Sequence, residues 1–194
     1  MRNFGSIKVS DISKYPELQM LRFSNGKVTK VGMLGVSKDL DGKLKVLLAK
    51  PAPKYNAEDE TFFAIARGSL NAFDEAQQKW VDINEKALDE GWKKEASLDG
   101  AVREAEEELG LKADNISALY DCGILSYRSE TKGEYGIHFF IAAVKDPALI
   151  PASTADSRAI SWMELEEALD NPELNPHYRD LLLGMVEGYL AAIS

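Results

Sequence analysis

The chain has 194 residues, a length that suits one domain of ordinary size and buries about 70% of the unfolded surface, so a core forms without staples. With 45% hydrophobic and 28% charged residues and no apolar run long enough to span a bilayer, the composition excludes a disordered chain and a helical membrane protein. The net charge of -9, without any cluster of Lys and Arg interleaved with aromatics, weighs against a long nucleic acid partner and leaves room for a small anionic substrate only where metal ions intervene.

The N-terminal MRNFGSIKVSDISKYP lacks the apolar stretch and small-residue cleavage pattern of a secretory signal, so a cytoplasmic protein is expected. Cys122 is the only cysteine, which rules out an internal disulfide; a lone thiol is more often a small core residue than a nucleophile. Two histidines, His138 and His177, are too few for the usual thiolate and imidazole zinc site.

In chain order, residues 31–36 and 43–50 flank Asp39-Leu40-Asp41-Gly42 and predict a β-hairpin closed by an Asp-Gly turn. A calcium loop is the competing reading, and Lys50 at its twelfth position defeats it. Residues 61–68, TFFAIARG, predict a short strand ending in glycine. Over residues 72–90, Phe73, Ala76, Trp80, Ile83 and Ala87 recur every three or four positions before Gly91, which predicts an amphipathic helix. Its aromatic stripe fits core packing or a homodimer contact better than direct ligand contact. A second helix is expected over 98–109. Residues 118–127 and 135–144, separated by RSETKGE, predict an antiparallel pair. RAISW at 158–162 predicts a strand, with helical MELEEAL after it. Asn175-Pro176 opens a last helix, with Leu181, Leu182, Met185, Val186, Tyr189 and Ile193 on one face; Gly184 and Gly188 sit in surroundings too polar for a membrane dimer motif. Strands before, between and after helices without regular alternation predict a mixed α+β or layered sandwich fold.

The helix over 98–109 carries the chemistry. Leu98, Ala101, Val102, Ala105 and Leu109 fall on one side. Glu104, Glu107 and Glu108 fall together elsewhere, three and four positions apart, so their side chains are expected to converge, while Glu106 points away. These carboxylates occupy the last turns, where the helix dipole is already negative and each anion is disfavoured by roughly 0.3–1 kcal/mol; like-charge repulsion adds a few tenths more. A solvated charged face is the ordinary explanation of a Glu-rich helix. The unfavourable end of the dipole and the convergence argue instead for hard divalent cations, Mg²⁺ or Mn²⁺, which carboxylates and carbonyls suit and which commonly bridge to substrate phosphates.

From Glu95 onward the sequence resembles the signature of the Nudix hydrolases, Gly-x5-Glu-x7-Arg-Glu-U-x-Glu-Glu-x-Gly-U with U aliphatic: Glu95, Arg103, Glu104, Ala105, Glu107, Glu108, Gly110 and Leu111 occupy its fixed positions. The first glycine departs, because Asp89 stands in its place. Upstream, Phe63-Ala64-Ile65-Ala66-Arg67-Gly68 resembles the family's aromatic-x-x-Pro-Lys-Gly strand end, so Gly68 becomes the signature glycine and residues 69–94 carry an insertion of about 21 residues. More weakly, the resemblance reaches most of residues 30–170. It implies a Nudix-type α/β/α sandwich with a mixed sheet, a single domain over 1–194 with an inserted amphipathic helix in 69–94 and a C-terminal helix over 174–193, and hydrolysis of a nucleoside diphosphate linked to another moiety. It also implies Glu104, Glu107 and Glu108 as metal ligands with the Gly68 carbonyl, Arg103 as the residue that holds a carboxylate in place, and Glu95 in a secondary position. The general base is either Glu104 or a loop acid, with Asp156 and Glu134 the candidates; each is also an ordinary surface acid.

Substrate hints are thin. Some ADP-ribose hydrolases of the family carry a proline about sixteen residues past the signature; here Pro147 is the first proline after Leu111, which disfavours that subgroup. Tyr127 lies 16 residues past Leu111, which resembles a dinucleoside polyphosphate subgroup, although a tyrosine in a strand is usually core or rim. The glycine-rich element of coenzyme A hydrolases is missing. Arg67, Arg128 and Lys132 are candidates to meet phosphates, with exposed charge the commoner role. The partner expected is therefore a small nucleotide or dinucleotide. The insertion is expected to form a pocket wall or a dimer contact. A non-catalytic, Nudix-like nucleotide sensor is the alternative; such domains usually lose the carboxylates that this chain keeps.

Overall fold

The computed structural model describes residues 28–52, 62–83, 87, 90–129 and 133–194, with the backbone alone at 3–6, 21–22, 126–129, 133–135 and 177. In chain order the elements are β1 (Asn3–Ser6), β2 (Leu21–Arg22), β3 (Val28–Lys38), β4 (Leu44–Pro51), β5 (Ala66–Ser69), β6 (Asn71–Asp74), β7 (Lys79–Asp82), α1 (Ser97–Leu109), β8 (Ile116–Ser129), β9 (Gly133–Val144), β10 (Ser157–Glu164), α2 (Leu165–Asp170) and α3 (Pro176–Ile193). One eight-stranded sheet runs β1-β8-β9-β3-β4-β10, with β2 added on β8 and β5 on β3. The β1–β8 and β3–β9 pairs are parallel and the others antiparallel, so the sheet is mixed.

Side chains alternate across this sheet and feed two cores. On one face Leu34, Val36, Phe139 and Ile141 pack with Leu181, Leu182, Met185 and Val186 of α3. On the other, Val31, Met33, Phe140 and Ala142 pack with Ala101, Ala105 and Leu109 of α1. Helices thus cover both faces of a mixed sheet, as the sandwich requires. Full burial of Leu109 contributes about 2 kcal/mol, well above the few tenths lost to one like-charge pair on the opposite side of α1. Packing therefore holds the acidic helix in place.

The hairpin between β3 and β4 closes as its sequence predicts: the Asp39 carboxylate accepts from the amides of Asp41 at 3.0 Å and Lys43 at 2.9 Å, and Gly42 takes a φ of +79°. The 118–127 and 135–144 runs extend into β8 and β9, paired from Ile116↔Val144 to Ser129↔Gly133.

The insertion corrects the expectation of an amphipathic helix over 72–90. Residues 71–82 form a β-hairpin, β6 and β7, in register Asn71↔Asp82, Ala72↔Val81, Phe73↔Trp80 and Asp74↔Lys79. The Asp74 carboxylate accepts from the amides of Ala76 at 2.9 Å and Gln77 at 3.1 Å, which starts a turn that competes with helix, and Gln78 completes it with a φ of +52°. Phe73 and Trp80 lie seven positions apart, a spacing that two helical turns and a hairpin with a four-residue turn satisfy equally. In the hairpin they meet edge to face across the strands, with ring centroids 5.5 Å apart. Ala87 is helical; the rest of the expected helix beyond Ile83 lies outside the described residues until Glu90.

Candidate active site

Helix α1 stops where a glycine permits it. Gly110 takes a φ of +62°, its amide donating to the Glu106 carbonyl at 3.0 Å while the amide of Leu111 donates to that of Ala105 at 3.1 Å. The last turns of α1 lie against β5, and at their meeting point a Cβ on Gly68 would fall on the Glu104 carboxylate. Only glycine lets that strand and that side chain come so close. Glu108 reaches the same strand, accepting from the Arg67 backbone amide at 2.9 Å.

Arg103 ties the remaining carboxylates together. Its Nε and Nη2 donate to the two oxygens of Glu95, each at 3.1 Å. Its Nη1 donates to Glu104 at 2.6 Å and to Glu107 at 3.1 Å, and Nη2 also donates to the Ser69 carbonyl at 2.9 Å. A planar fork of five donors is suited to such a junction and an ammonium is not. Glu95 is pinned in turn by the Asn71 amide at 3.0 Å.

The three glutamates do not form the converging trio that helical spacing predicts. Among the described residues, no three acidic, imidazole or thiol side chains gather as a metal ion would need. The physical reason is Arg103, whose guanidinium supplies positive charge to Glu104 and Glu107, while Glu108 turns to the Arg67 amide. Glu104 is only 8% exposed, and burial pushes its carboxyl above the usual range, offset in part by Arg103 and reinforced by the charges of Glu107 and Asp82. Burial alone would lower the pKa of Arg103, but its bonds to Glu95 and Glu104 outweigh that and raise it.

The donor set still fits a hard divalent cation: every candidate ligand is an oxygen, and Gly68 leaves its backbone open to the Glu104 carboxylate. Such an ion would compete with Arg103 for Glu104 and Glu107.

The other candidates scatter. Arg67 brings its backbone amide to α1, whereas its guanidinium lies over the ring of Tyr178, 5.2 Å from the centroid, a residue of the α3 core. Asp156 sits in the loop before β10, its carbonyl accepting from the Ala52 amide at 2.8 Å. Tyr127 and Arg128 pair with Tyr135 and Glu134 near the β8–β9 turn; their side chains, and the whole of Lys132, lie outside the described residues. Sequence reasoning missed Asp82, brought near Glu104 by the inserted hairpin, and a His138–Asp121 pair on β9 and β8. An Asp-x-Gly run in mid-strand was the available signal for the latter, since glycine inside a strand often marks a bulge.

A family model described as NUDIX domain matches residues 42–183. The chain belongs to the Nudix family. No curated protein matches it by sequence. Among solved structures, it is similar to an Ap4A hydrolase from C. elegans, at 18% identity, a TM-score of 0.57 and coverage of 85% of this chain and 98% of the other. It is similar to the Nudix hydrolase RenU from M. smegmatis, at 18% identity and a TM-score of 0.57 over 90% of this chain and 96% of the other. The third is the NUDIX domain of Shewanella oneidensis NrtR complexed with ADP ribose, at 15% identity and a TM-score of 0.56 over 88% of this chain and 90% of the other. At these identities the likeness shows that this Nudix chain shares their fold.

Proposed function

We propose that this Nudix protein hydrolyses a phosphoanhydride bond in a nucleoside diphosphate linked to another moiety, using Mg²⁺ or Mn²⁺. The observation that carries this reading is the clasp between α1 and β5: Glu104 against Gly68, Glu108 on the Arg67 amide, and Arg103 joining Glu95, Glu104 and Glu107. Glu104, Glu107, Glu108 and the Gly68 carbonyl would hold the cations. Bound divalent ions neutralise phosphate charge, polarise phosphorus and acidify an attacking water. Arg103 keeps Glu104 and Glu107 oriented, and its bidentate hold on Glu95 fixes the guanidinium itself. The group that takes a proton from water is Glu104 or one of the loop acids, Asp156 and Glu134.

A second reading, a nucleotide-binding sensor without turnover, draws on the pairing of two of the three glutamates with Arg103. Incubating nucleoside diphosphate derivatives with the protein and Mg²⁺ or Mn²⁺ separates the two, because a sensor binds without releasing product. Glu107→Gln and Glu108→Gln are expected to lower kcat by about 10² or more with the melting curve retained, given the size of electrostatic terms in such sites. Normal turnover by both variants would remove the site assignment.

A further inference from the structure

The face of the sheet that carries Gly68 holds a second polar group. Strand register places Gly68, Val31, His138 and Ile124 in one row across β5, β3, β9 and β8. Val31 and Phe140 belong to the α1-side core, and His138, two positions from Phe140, shares that face. His138 therefore stands two strand spacings from Gly68, roughly 10 Å, on the floor beside the acidic helix. Its side chain is 17% exposed.

The ring is held on two sides. Nε2 lies 2.8 Å from Asp121 Oδ1, and the imidazole stacks on Phe140 with centroids 4.3 Å apart and planes tilted by 32°. Asp121 is itself fixed by a bulge. The β8–β9 register shifts between Asp121 and Gly123, Gly123 takes a φ of +83°, and its amide donates to Asp121 Oδ1 at 2.7 Å. Bulges re-aim side chains in this way.

A carboxylate accepts, so Nε2 carries the hydrogen and Nδ1 of the neutral ring is an acceptor. The pair thus offers acceptors, and the Asp121 charge repels phosphate. What it matches is a donor-bearing group one diphosphate away from Gly68, and sugar hydroxyls have that chemistry. We propose that His138, oriented by Asp121, binds a ribose hydroxyl of the substrate and sets a preference for ribonucleotides. This rests on the function proposed above.

The test is calorimetric binding of ADP, GDP, CDP and UDP against their 2′-deoxy and 3′-deoxy forms, with wild type, His138→Phe and Asp121→Asn. His138→Phe keeps a ring on Phe140 without the acceptor; Asp121→Asn keeps the shape and, because one Oδ1 accepts from both the Gly123 amide and Nε2, keeps an oxygen there and the same tautomer without the charge. Wild type should bind the ribonucleotide roughly tenfold more tightly than one of the deoxy forms, the worth of one hydrogen bond; His138→Phe should bring that ratio close to one, and Asp121→Asn should retain it. A pair that only braces the bulge would shift the melting temperature and leave the ratio unchanged. Equal binding of ribo and deoxy forms by wild type, or a ratio that survives in folded His138→Phe or vanishes in folded Asp121→Asn, overturns the assignment alone. Failure of wild type to bind or hydrolyse any nucleoside diphosphate overturns the functional reading, and this assignment with it.

Discussion

Arg103 and Glu104 illustrate how a single charge can be both misplaced and required. Glu104 is buried with a raised pKa, so its ionised form is disfavoured in the folded state, and the stability linked to its proton is present at low pH and lost as pH rises through the raised value. Metal-free Glu104→Gln should therefore melt above wild type at neutral pH, with the gap closing as pH falls through that value. A gap that widened on acidification would contradict the burial argument. Arg103→Lys removes the fork that spans Glu95, Glu104, Glu107 and the Ser69 carbonyl. The loss of charge-assisted hydrogen bonds should cost on the order of 2 kcal/mol, a drop of several degrees in Tm for a chain of this size, together with kcat. Cys122, by contrast, has its thiol pushed well up by burial and by the Asp121 charge, and should stay unreactive toward thiol reagents until the chain unfolds. The signature residues were legible because their type and spacing name them. Their present partners were not, since Glu108 bonds a backbone amide 41 residues away in the chain.

At the scale of elements, α1 was readable to within a residue at its start, and its end was set by Gly110. That glycine is required twice over: its φ is +62°, and a Cβ there would come within 2.5 Å of Pro151. Gly110→Ala should destabilise by about 1–2 kcal/mol from the left-handed backbone alone, measurable by urea denaturation. The insertion was misread because a period of seven between Phe73 and Trp80 does not distinguish helix from hairpin; the Asp74 turn decides it. Trp80 remains 46% exposed, with Lys93 5.9 Å from its ring, and Asp82 in the same hairpin acts on Glu104. Replacing residues 73–80 by Gly-Gly leaves Asn71, Ala72, Val81 and Asp82 able to pair. If the hairpin is a pocket wall, this variant should show a several-fold rise in KM with little change in Tm; unchanged kinetics and an altered oligomeric state would make it a dimer contact.

For the whole molecule, divalent ions and net charge are linked. A chain of net charge -9 with an acidic patch on its helix should be stabilised by any cation that binds the folded state alone, by about 2.7 kcal/mol at a hundred times Kd. Mg²⁺ is expected to raise the Tm of wild type and to leave Glu107→Gln, Glu108→Gln double-variant protein almost unmoved; equal shifts in both would reduce the acidic helix to a solvated face. No helix among the described residues is long and apolar enough to cross a membrane. By itself the sequence determined the apolar faces of α1 and α3, the β3–β4 and β8–β9 pairs, and the acidic signature, because each is a local pattern of period, turn residue or spacing. The tertiary structure alone decided that Gly68 meets Glu104, that Arg103 pairs with three carboxylates, that residues 71–82 pair as strands, and that His138 shares a sheet face with Gly68. Those outcomes depend on which distant backbones lie side by side, and hydrogen bonds between them outweigh the weak local preferences that a linear pattern records.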